Sequence, residues 1–234
     1  NIYGRRDFKS LCAYIESAAA KLGVHVDLVQ AAGKVPVRVH DVEVDYASLA
    51  AHKLHGPKGV GALYIRRGAE WHPLHTGGAQ EDYRRAGTEN VPGIIGFGKA
   101  AEMALAASEQ YAALASLRIR FLSALRNAGL EVVEAGAAAP RLPHVFNMRI
   151  PGITAESLTL LLEPMGLICS SGSACTSAEP HPSHVLLAIG RVHDVAHGSL
   201  RLSLCEYNTE EEIDHILTAV PQVVDRLRSM SPVW

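Results

Sequence analysis

Apolar residues recur at helical spacing near both ends of the chain. Over residues 7–22 they fall on one face of a helix, which Gly23 would end. A second helical pattern runs over residues 209–228. There Thr209 and Glu212 have the spacing of a capping box. The pattern therefore predicts well-defined helices at residues 7–22 and 209–228.

Shorter apolar runs between these helices are bounded by glycine, proline and polar residues, which is typical of strands and short helices. The predicted strands cover residues 24–27, 44–49, 60–65, 131–134, 145–150, 167–170 and 199–204. The other predicted helices cover residues 91–107, 108–128, 155–162 and 182–189. Residues 66–90, rich in Gly, His and Arg, are predicted to form a loop.

This order of elements predicts an α/β fold class with two parts. Helix and strands alternate in the first part, and the second part has the mixed order of an α+β domain. We expect the junction near the helix at 108–128, which gives domains over residues 1–110 and 111–234.

Composition narrows the class of protein. Of the 234 residues 48% are hydrophobic, which excludes a disordered tail. The net charge is −2, so the chain has no excess of basic residues with which to bind nucleic acid. We expect no membrane span, because charges, glycine and proline interrupt the apolar runs. We also expect no signal segment, because no basic stretch followed by an apolar one opens the sequence. Four scattered cysteines favour free thiols in a reducing, cytoplasmic setting. The twelve histidines show no zinc-binding spacing, so we expect no metal.

Two ionisable residues stand at predicted strand ends. Asp27 ends the strand at 24–27, where a carboxylate would point into a ligand crevice, although a loop or capping role is the simpler interpretation. Lys53 lies in an apolar stretch between two predicted strands and could act as an amine nucleophile or base. From the local pattern alone a surface lysine beside a turn is the simpler interpretation, and Lys58 has that character.

One cysteine has an unusual setting. Cys175 is surrounded by small residues in a predicted loop, which suits a thiol that attacks or carries a group, although an incidental thiol fits equally well. Cys12 and Cys169 lie in apolar patterns and are predicted to be core residues. Cys205 closes a predicted strand and is given no role.

Two further residues could bind anions. Arg201 alternates with leucines on a predicted strand, so it either faces solvent or grips a carboxylate through two hydrogen bonds. Thr88 precedes a predicted helix and could either bind an anion at the helix N-terminus or simply cap it.

Taken together, these stretches resemble the class V aminotransferase family, and within it the NifS/IscS-like cysteine desulfurases. The resemblance rests on five ordered runs: DLVQAAGKVPV at 27–37, AHKLHGPKGVGALYIRRG at 51–68, RAGTENVPGIIGFGKAAEMA at 85–104, SSGSACTSAEPHPSHVLLAIG at 170–190 and SLRLSLCEYNTEEEID at 199–214. It implies the C-terminal part of a pyridoxal-phosphate transferase large domain followed by an α+β small domain.

The resemblance also implies a cofactor, pyridoxal 5′-phosphate. Lys53 would hold it as a Schiff base, and Asp27 would pair with its ring nitrogen. Gln30 would donate to the ring oxygen. His52 would contribute to the phosphate site and to catalysis.

The implied reaction converts L-cysteine to L-alanine and leaves a persulfide on Cys175. Arg201 would bind the substrate carboxylate, and Asn1 would lie near the substrate. Lys53 would move the Cα proton. Thr88 would reach the phosphate of a neighbouring subunit, which implies a homodimer.

The implied partners are L-cysteine and a sulfur-acceptor protein such as an iron–sulfur scaffold, a tRNA-thiolation enzyme or a DNA-sulfur system. The family also has a preceding region with a phosphate-binding loop and a ring-stacking histidine. Ala50 and Leu28 depart from the family pattern, which usually has a phosphate-binding serine and a smaller residue there. Two alternatives therefore stay open, an inactive desulfurase-like protein that acts by dimerisation or partner binding, and a selenocysteine lyase.

Overall fold

The computed structural model describes residues 23–41, 44–171, 183–190 and 198–231. They divide into two compact units, each with a three-stranded sheet. The first unit contains the described residues up to Glu109 together with Pro140–Leu142, and the second contains Gln110–Ala139 and the described residues from Pro143 onward. The predicted helix at 7–22 lies outside the described residues.

The sheet of the first unit has the order β1-β2-β3. Its strands are β1 (His25–Asp27), β2 (Tyr46–Ala50) and β3 (Gly61–Ile65). β1 is parallel to β2, with Val26 opposite Ala47, and β2 is antiparallel to β3. Single-turn 3-10 helices lie at Val39–Asp41 and Ala51–Leu54.

A small apolar cluster fastens β1 to the segment that leads into β2. Val24, Val26 and Val44 are its buried members, and Leu28, Val39 and Tyr64 pack around them. Val24, Val26 and Leu28 share one face because they alternate along β1 and its flanking residues.

Asp45 joins the starts of β1 and β2. Its Oδ2 accepts a hydrogen bond from the Val24 backbone N–H at 2.7 Å, and its Oδ1 accepts from the Arg66 Nε at 2.8 Å. The hydrogen bond from Val24, assisted by Arg66, lowers the pKa of the Asp45 carboxyl below its usual value. The folded unit therefore favours the charged form of this side chain.

The longest element is a single helix, α1 (Val91–Asn127), of 37 residues. The prediction of two helices, at 91–107 and 108–128, is therefore wrong at their junction. No glycine or proline stands between Lys99 and Gly129, so nothing in that stretch breaks the hydrogen-bond ladder. The helix ends where Gly129 adopts a left-handed conformation, with φ +81°.

The sheet of the second unit is antiparallel, with the order β4-β5-β6. Its strands are β4 (Val133–Glu134), β5 (Val145–Arg149) and β6 (Ser199–Ser203), and its further helices are α2 (Ala155–Leu162), α3 (His184–Ala188) and α4 (Glu210–Ser229). α2 packs against α4 and β6. The large side chains that are almost fully buried in this unit are Phe121, Leu125, Met148, Ile150, Leu158, Leu162, Leu200, Ile213, Val220 and Val224.

The sequence predicted α2 and the start of α4 correctly. α2 has the predicted bounds, and Thr209 and Glu212 form the expected capping box at the first turn of α4. The predicted strand at 167–170 is wrong. The Leu167 N–H still bonds to Leu162 O at 3.2 Å, so the chain reaches β6 only at Ser170, which pairs with Arg201.

Both units mix helix and sheet, as the sequence predicted. No helix in the part of the chain that the structure describes is long and apolar enough to cross a membrane.

The hydrogen bonds of Asp45 predict a pH-dependent contribution to stability. Asp45→Asn should lower the free energy of unfolding by about 1–2 kcal/mol at neutral pH, because a charge-assisted hydrogen bond to a largely buried carboxylate is lost. The pKa is lowered in the folded state, so this stabilisation is present above the ordinary value of 3.8 and is lost as the pH falls through the folded-state pKa. Urea unfolding at pH 7 and at successively lower pH measures it.

The exposed Asp41 provides the matched control. Asp41→Asn should leave the free energy of unfolding unchanged within about 0.5 kcal/mol. An Asp45→Asn effect that is equally large at every pH would contradict the electrostatic explanation.

Candidate active site

Asp27 is the last residue of β1. Its side chain is exposed, and its Oδ1 accepts a hydrogen bond from the Val29 N–H at 2.8 Å. The Leu28 N–H bonds to Ser48 O at 3.0 Å, which continues the β1–β2 pairing past the strand end. Oδ2 of Asp27 makes no hydrogen bond within the described part of the chain. One carboxylate oxygen therefore fixes the side chain while the other stays available to a ligand.

The chain after Asp27 forms a compact coil that carries the half-buried Gln30. Backbone hydrogen bonds close the coil, from Ala32 N to Leu28 O at 2.9 Å and from Lys34 N to Ala31 O at 3.1 Å. Gly33 has φ +70°, and a Cβ there would lie 2.8 Å from both Leu54 Cδ2 and Ala104 Cβ. Only glycine satisfies both the left-handed backbone and the close packing.

Lys53 lies on the 3-10 turn Ala51–Leu54 that follows β2 directly. Ala51 is fully buried, Lys53 is half-buried and His52 is exposed. The turn closes through a hydrogen bond from Gly56 N to Ala51 O at 2.9 Å, after His55 with φ +60°. The sequence placed Lys53 at a strand end but did not predict this helical turn.

The parallel pairing of β1 and β2 places Asp27 and Lys53 at the same edge of the sheet. Asp27 pairs in register with Ser48, and Lys53 follows five residues later along β2 and the turn. The carboxyl ends of parallel strands are where α/β proteins place ligand-binding residues. A carboxylate, an amide and an amine therefore arise from neighbouring segments at this edge.

Thr88 precedes α1 but does not cap it. Asn90 takes that role, because its Oδ1 accepts a hydrogen bond from the Gly93 N–H at 3.1 Å. The Thr88 side chain is exposed. The capping alternative for Thr88 is therefore wrong, and its hydroxyl remains available to an anion.

Arg201 lies in the middle of β6, opposite Asn147 on β5. Its backbone exchanges two hydrogen bonds with Ser170, at 2.7 and 3.2 Å. Its Nε is buried and makes no hydrogen bond to any residue that the structure describes. An anion is one partner that would satisfy this nitrogen. The feature is not specific to an anion site, because the Nε of Arg118, an arginine that pairs with Glu134, is buried in the same way.

A pocket of about 430 Å³ in the second unit is bounded by apolar side chains of α2, residues 167–169 and β6, and by polar and apolar side chains of α4. Cys169 lines this pocket and is only half-buried, so its prediction as a core residue is wrong. Burial raises the pKa of the Cys169 thiol to about 11, which keeps it protonated at neutral pH. Cys205 lies two residues beyond the end of β6, in a turn where its N–H bonds to Asn208 Oδ1 at 2.8 Å.

Three residues singled out from the sequence, Asn1, Cys12 and Cys175, lie outside the described residues. Sequence reasoning, for its part, overlooked Lys34. It is only 6% exposed, and its Nζ donates to the main-chain oxygen of Lys53 at 2.9 Å. The flanking Gly33 and Val35 were the only local signal, and they do not reveal burial of a charged residue.

Comparisons with known proteins give one consistent result. The family model described as "Aminotransferase class-V" matches residues 2–216. A cysteine desulfurase of Sinorhizobium fredii is 48% identical over 219 residues, which cover 92% of this chain and 57% of the relative. The cysteine desulfurase IscS of Methanosarcina thermophila is 49% identical over 210 residues, which cover 89% of this chain and 52% of the relative. The chain thus spans about half the length of the curated relatives it matches.

Solved structures agree in fold. A NifS-like protein superposes with a TM-score of 0.80 at 36% identity. The matched region is 96% of this chain and 58% of the NifS-like chain. A NifS-like protein from Rickettsia africae gives a TM-score of 0.81 at 28% identity. Here the matched region is 94% of this chain and 57% of the Rickettsia chain. The fold expected from the resemblance, a partial large domain followed by an α+β small domain, is confirmed.

The packing around the Lys53 turn predicts a large effect at Gly56. A Cβ at this position would lie 2.9 Å from Ala100 Cβ and 3.0 Å from Ala51 O. Gly56→Ala should therefore lower the free energy of unfolding by about 1–3 kcal/mol, because the turn must shift against α1. Chemical denaturation measures the change.

Gly98, also on α1, supplies a control of opposite sign. A Cβ there meets no atom within 4 Å, so Gly98→Ala should stabilise the helix by about 0.5–1 kcal/mol. Equal effects of the two substitutions would refute the packing explanation.

Proposed function

Because the chain belongs to the aminotransferase class V family, we propose that it acts as a pyridoxal-phosphate-dependent cysteine desulfurase. The reaction converts L-cysteine to L-alanine and transfers the sulfur to Cys175. Residues 1–110 belong to the cofactor-binding large domain in this proposal, and residues 111–234 form the small domain. The observation that carries it is the parallel β1–β2 pair, from which Asp27 and Lys53 arise at one edge of the sheet. The relatives named cysteine desulfurase support it.

The side chains at this edge fit pyridoxal phosphate chemically. Asp27 offers an anchored carboxylate with one oxygen free of hydrogen bonds to described residues, which suits a protonated ring nitrogen. Gln30 offers an amide for the ring oxygen. Lys53 offers a half-buried primary amine for the aldehyde, and the adjacent His52 is exposed for the phosphate side. When bound, the cofactor supplies an electron sink for the Cα of an amino acid.

Each residue then has a defined task. Asp27 would keep the ring nitrogen protonated, and Gln30 would orient the ring. Lys53 would hold the cofactor, and its amine would also carry the Cα proton of the substrate. Arg201 binds the substrate carboxylate through its guanidinium, whose buried Nε gains the partner that it lacks among the described residues. Asn1 completes the substrate site.

Cys175 receives the sulfur in this proposal. Its thiolate attacks the substrate sulfur, and the bond between that sulfur and Cβ breaks with its electron pair left on carbon. Protonation of that carbon gives alanine, and Cys175 keeps the sulfur as a persulfide. In the net reaction, L-cysteine and the thiol of Cys175 give L-alanine and a persulfide on Cys175, so the reaction needs no external oxidant or reductant.

The finer partners are also proposals. A second copy would form a homodimer, which the exposed Val91, Ile94 and Ile95 at the start of α1 support, and would bring Thr88 to its partner's phosphate site. A sulfur-acceptor protein, such as an iron–sulfur scaffold or a tRNA-thiolation enzyme, would take the persulfide sulfur. The described cysteines, Cys169 and Cys205, are free thiols, which supports a reducing, cytoplasmic setting.

Covalent cofactor binding tests the assignment of Lys53. The protein translated from the complete reading frame should acquire a visible absorption band with pyridoxal phosphate, and borohydride should fix the cofactor on the Lys53 peptide. Lys53→Ala should remove the fixed adduct, because no other amine is proposed to reach the aldehyde. Mass spectrometry of the reduced peptides measures it.

Lys58, exposed on the turn after Lys53, is the matched control. Lys58→Ala should retain the adduct. An adduct that survives in Lys53→Ala would contradict the assignment, and an unmodified wild-type protein would favour the non-catalytic alternative.

Sulfide release tests the assignment of Cys175. Cys175→Ala should keep the visible band and its change on addition of L-cysteine, because cofactor and substrate binding do not use the thiol. Sulfide release in the presence of a thiol reductant should fall at least about a hundredfold. Cys169→Ala should keep most of the activity, because burial leaves the Cys169 thiol protonated. Unchanged sulfide release in Cys175→Ala would refute the proposed role.

A further inference from the structure

Lys34 is a buried cation that the proposed reaction does not use. Only 6% of the residue is exposed, and its Nζ donates a hydrogen bond to Lys53 O at 2.9 Å. Lysine is rarely buried to this degree, because removing an ammonium group from water is costly unless it is hydrogen-bonded. This hydrogen bond is made to the main chain of the residue proposed to bind the cofactor.

This hydrogen bond satisfies a carbonyl at the end of a helical turn. Lys53 is the third of four residues in the 3-10 turn Ala51–Leu54. The last carbonyls of a helix have no partner within the helix and carry partial negative charge, which favours a cationic donor. The other end of the turn is held by the bond from Gly56 N to Ala51 O. Lys34 therefore supports the same closed turn as Gly56, from a second carbonyl.

Lys34 also belongs to the coil that carries Gln30 and begins after Asp27. Its backbone N–H bonds to Ala31 O, and the neighbouring Gly33 packs where a Cβ would lie 2.8 Å from Leu54 Cδ2. The coil and the Lys53 turn are thus joined twice, by glycine packing and by the lysine hydrogen bond. A displacement of either segment would disturb both contacts.

We propose that Lys34 is a positioning residue that fixes the main chain of Lys53 relative to Asp27 and Gln30. The ammonium group holds the carbonyl of Lys53, so the Lys53 side chain leaves the turn from one defined point. The consequence for cofactor binding rests on the proposed function. The restraint on the turn itself does not.

Three variants separate positioning from bulk stability. Lys34→Met keeps the length of the side chain but removes the donor, and it also removes the desolvation cost of the ammonium group. Lys34→Arg keeps a cationic donor and is the rescue variant. Lys58→Met makes the same change on the exposed turn nearby and is the control.

The first readout needs no cofactor. Hydrogen exchange of the protein from the complete reading frame should speed up about tenfold at the amide of Gly56 in Lys34→Met, because the turn loses a support. The amides of β2 and β3 should exchange at the wild-type rate. Lys34→Arg should restore slow exchange, and Lys58→Met should not change it. Unchanged exchange at Gly56 in Lys34→Met would overturn the proposal, as would faster exchange spread evenly over the whole first unit.

The second readout is the affinity for pyridoxal phosphate, measured by titration of the visible band. We expect about tenfold weaker binding in Lys34→Met and recovery in Lys34→Arg, with the unfolding midpoint of the cofactor-free protein little changed. Wild-type affinity in Lys34→Met would overturn the role in cofactor binding. If the wild-type protein binds no cofactor, the proposed function fails, and hydrogen exchange still decides whether Lys34 holds the turn.

Discussion

The parallel pairing of β1 with β2 determines where the candidate cofactor residues of the first unit lie. Parallel strands end at the same edge, so the residue that ends β1 and the turn that follows β2 are neighbours along that edge. The Val24, Val26 and Val44 cluster and the bond from Val24 to Asp45 hold the opposite ends of these strands. The bond from the Leu28 N–H to Ser48 O holds the carboxyl ends, so a short ladder with only three register pairs is secured at both ends.

Lys34 and Arg201 show two different settings for a buried nitrogen atom of a cationic side chain. The Nζ of Lys34 donates a hydrogen bond to the main-chain carbonyl of Lys53, so this ammonium group contacts the backbone. The Nε of Arg201 is buried without a hydrogen bond to the described residues, and under the proposed function the substrate carboxylate would be its partner. Burial alone therefore does not distinguish a structural cation from a binding one.

Local patterns predicted the elements that depend on local chemistry. The capping box at Thr209 and the bounds of α2 followed from residues a few positions apart. The features that the sequence did not reveal depend on distant partners, such as the bond between Asp45 and Val24, 21 positions apart, and that between Lys34 and Lys53, 19 positions apart. The candidate residues Asp27, Lys53 and Arg201 were found by motif, but their partners required the structure. The strand wrongly predicted at 167–170 shows that an apolar run alone does not identify a strand. The Leu167 N–H bonds to Leu162 O at the end of α2 and is therefore not available to a sheet.

The chain path through the first unit bears on how that unit is made. Pro140–Leu142 belong to it, although α1, about 55 Å long, and β4 come before them in the sequence. On the ribosome this unit cannot be completed until those three residues have emerged, by which time the first strand of the second sheet has also been synthesised. The two units are therefore interleaved in order of synthesis. A chain that ended anywhere within Gln110–Ala139 would lack Pro140–Leu142 of the first unit, although it would keep all three strands of the first unit's sheet.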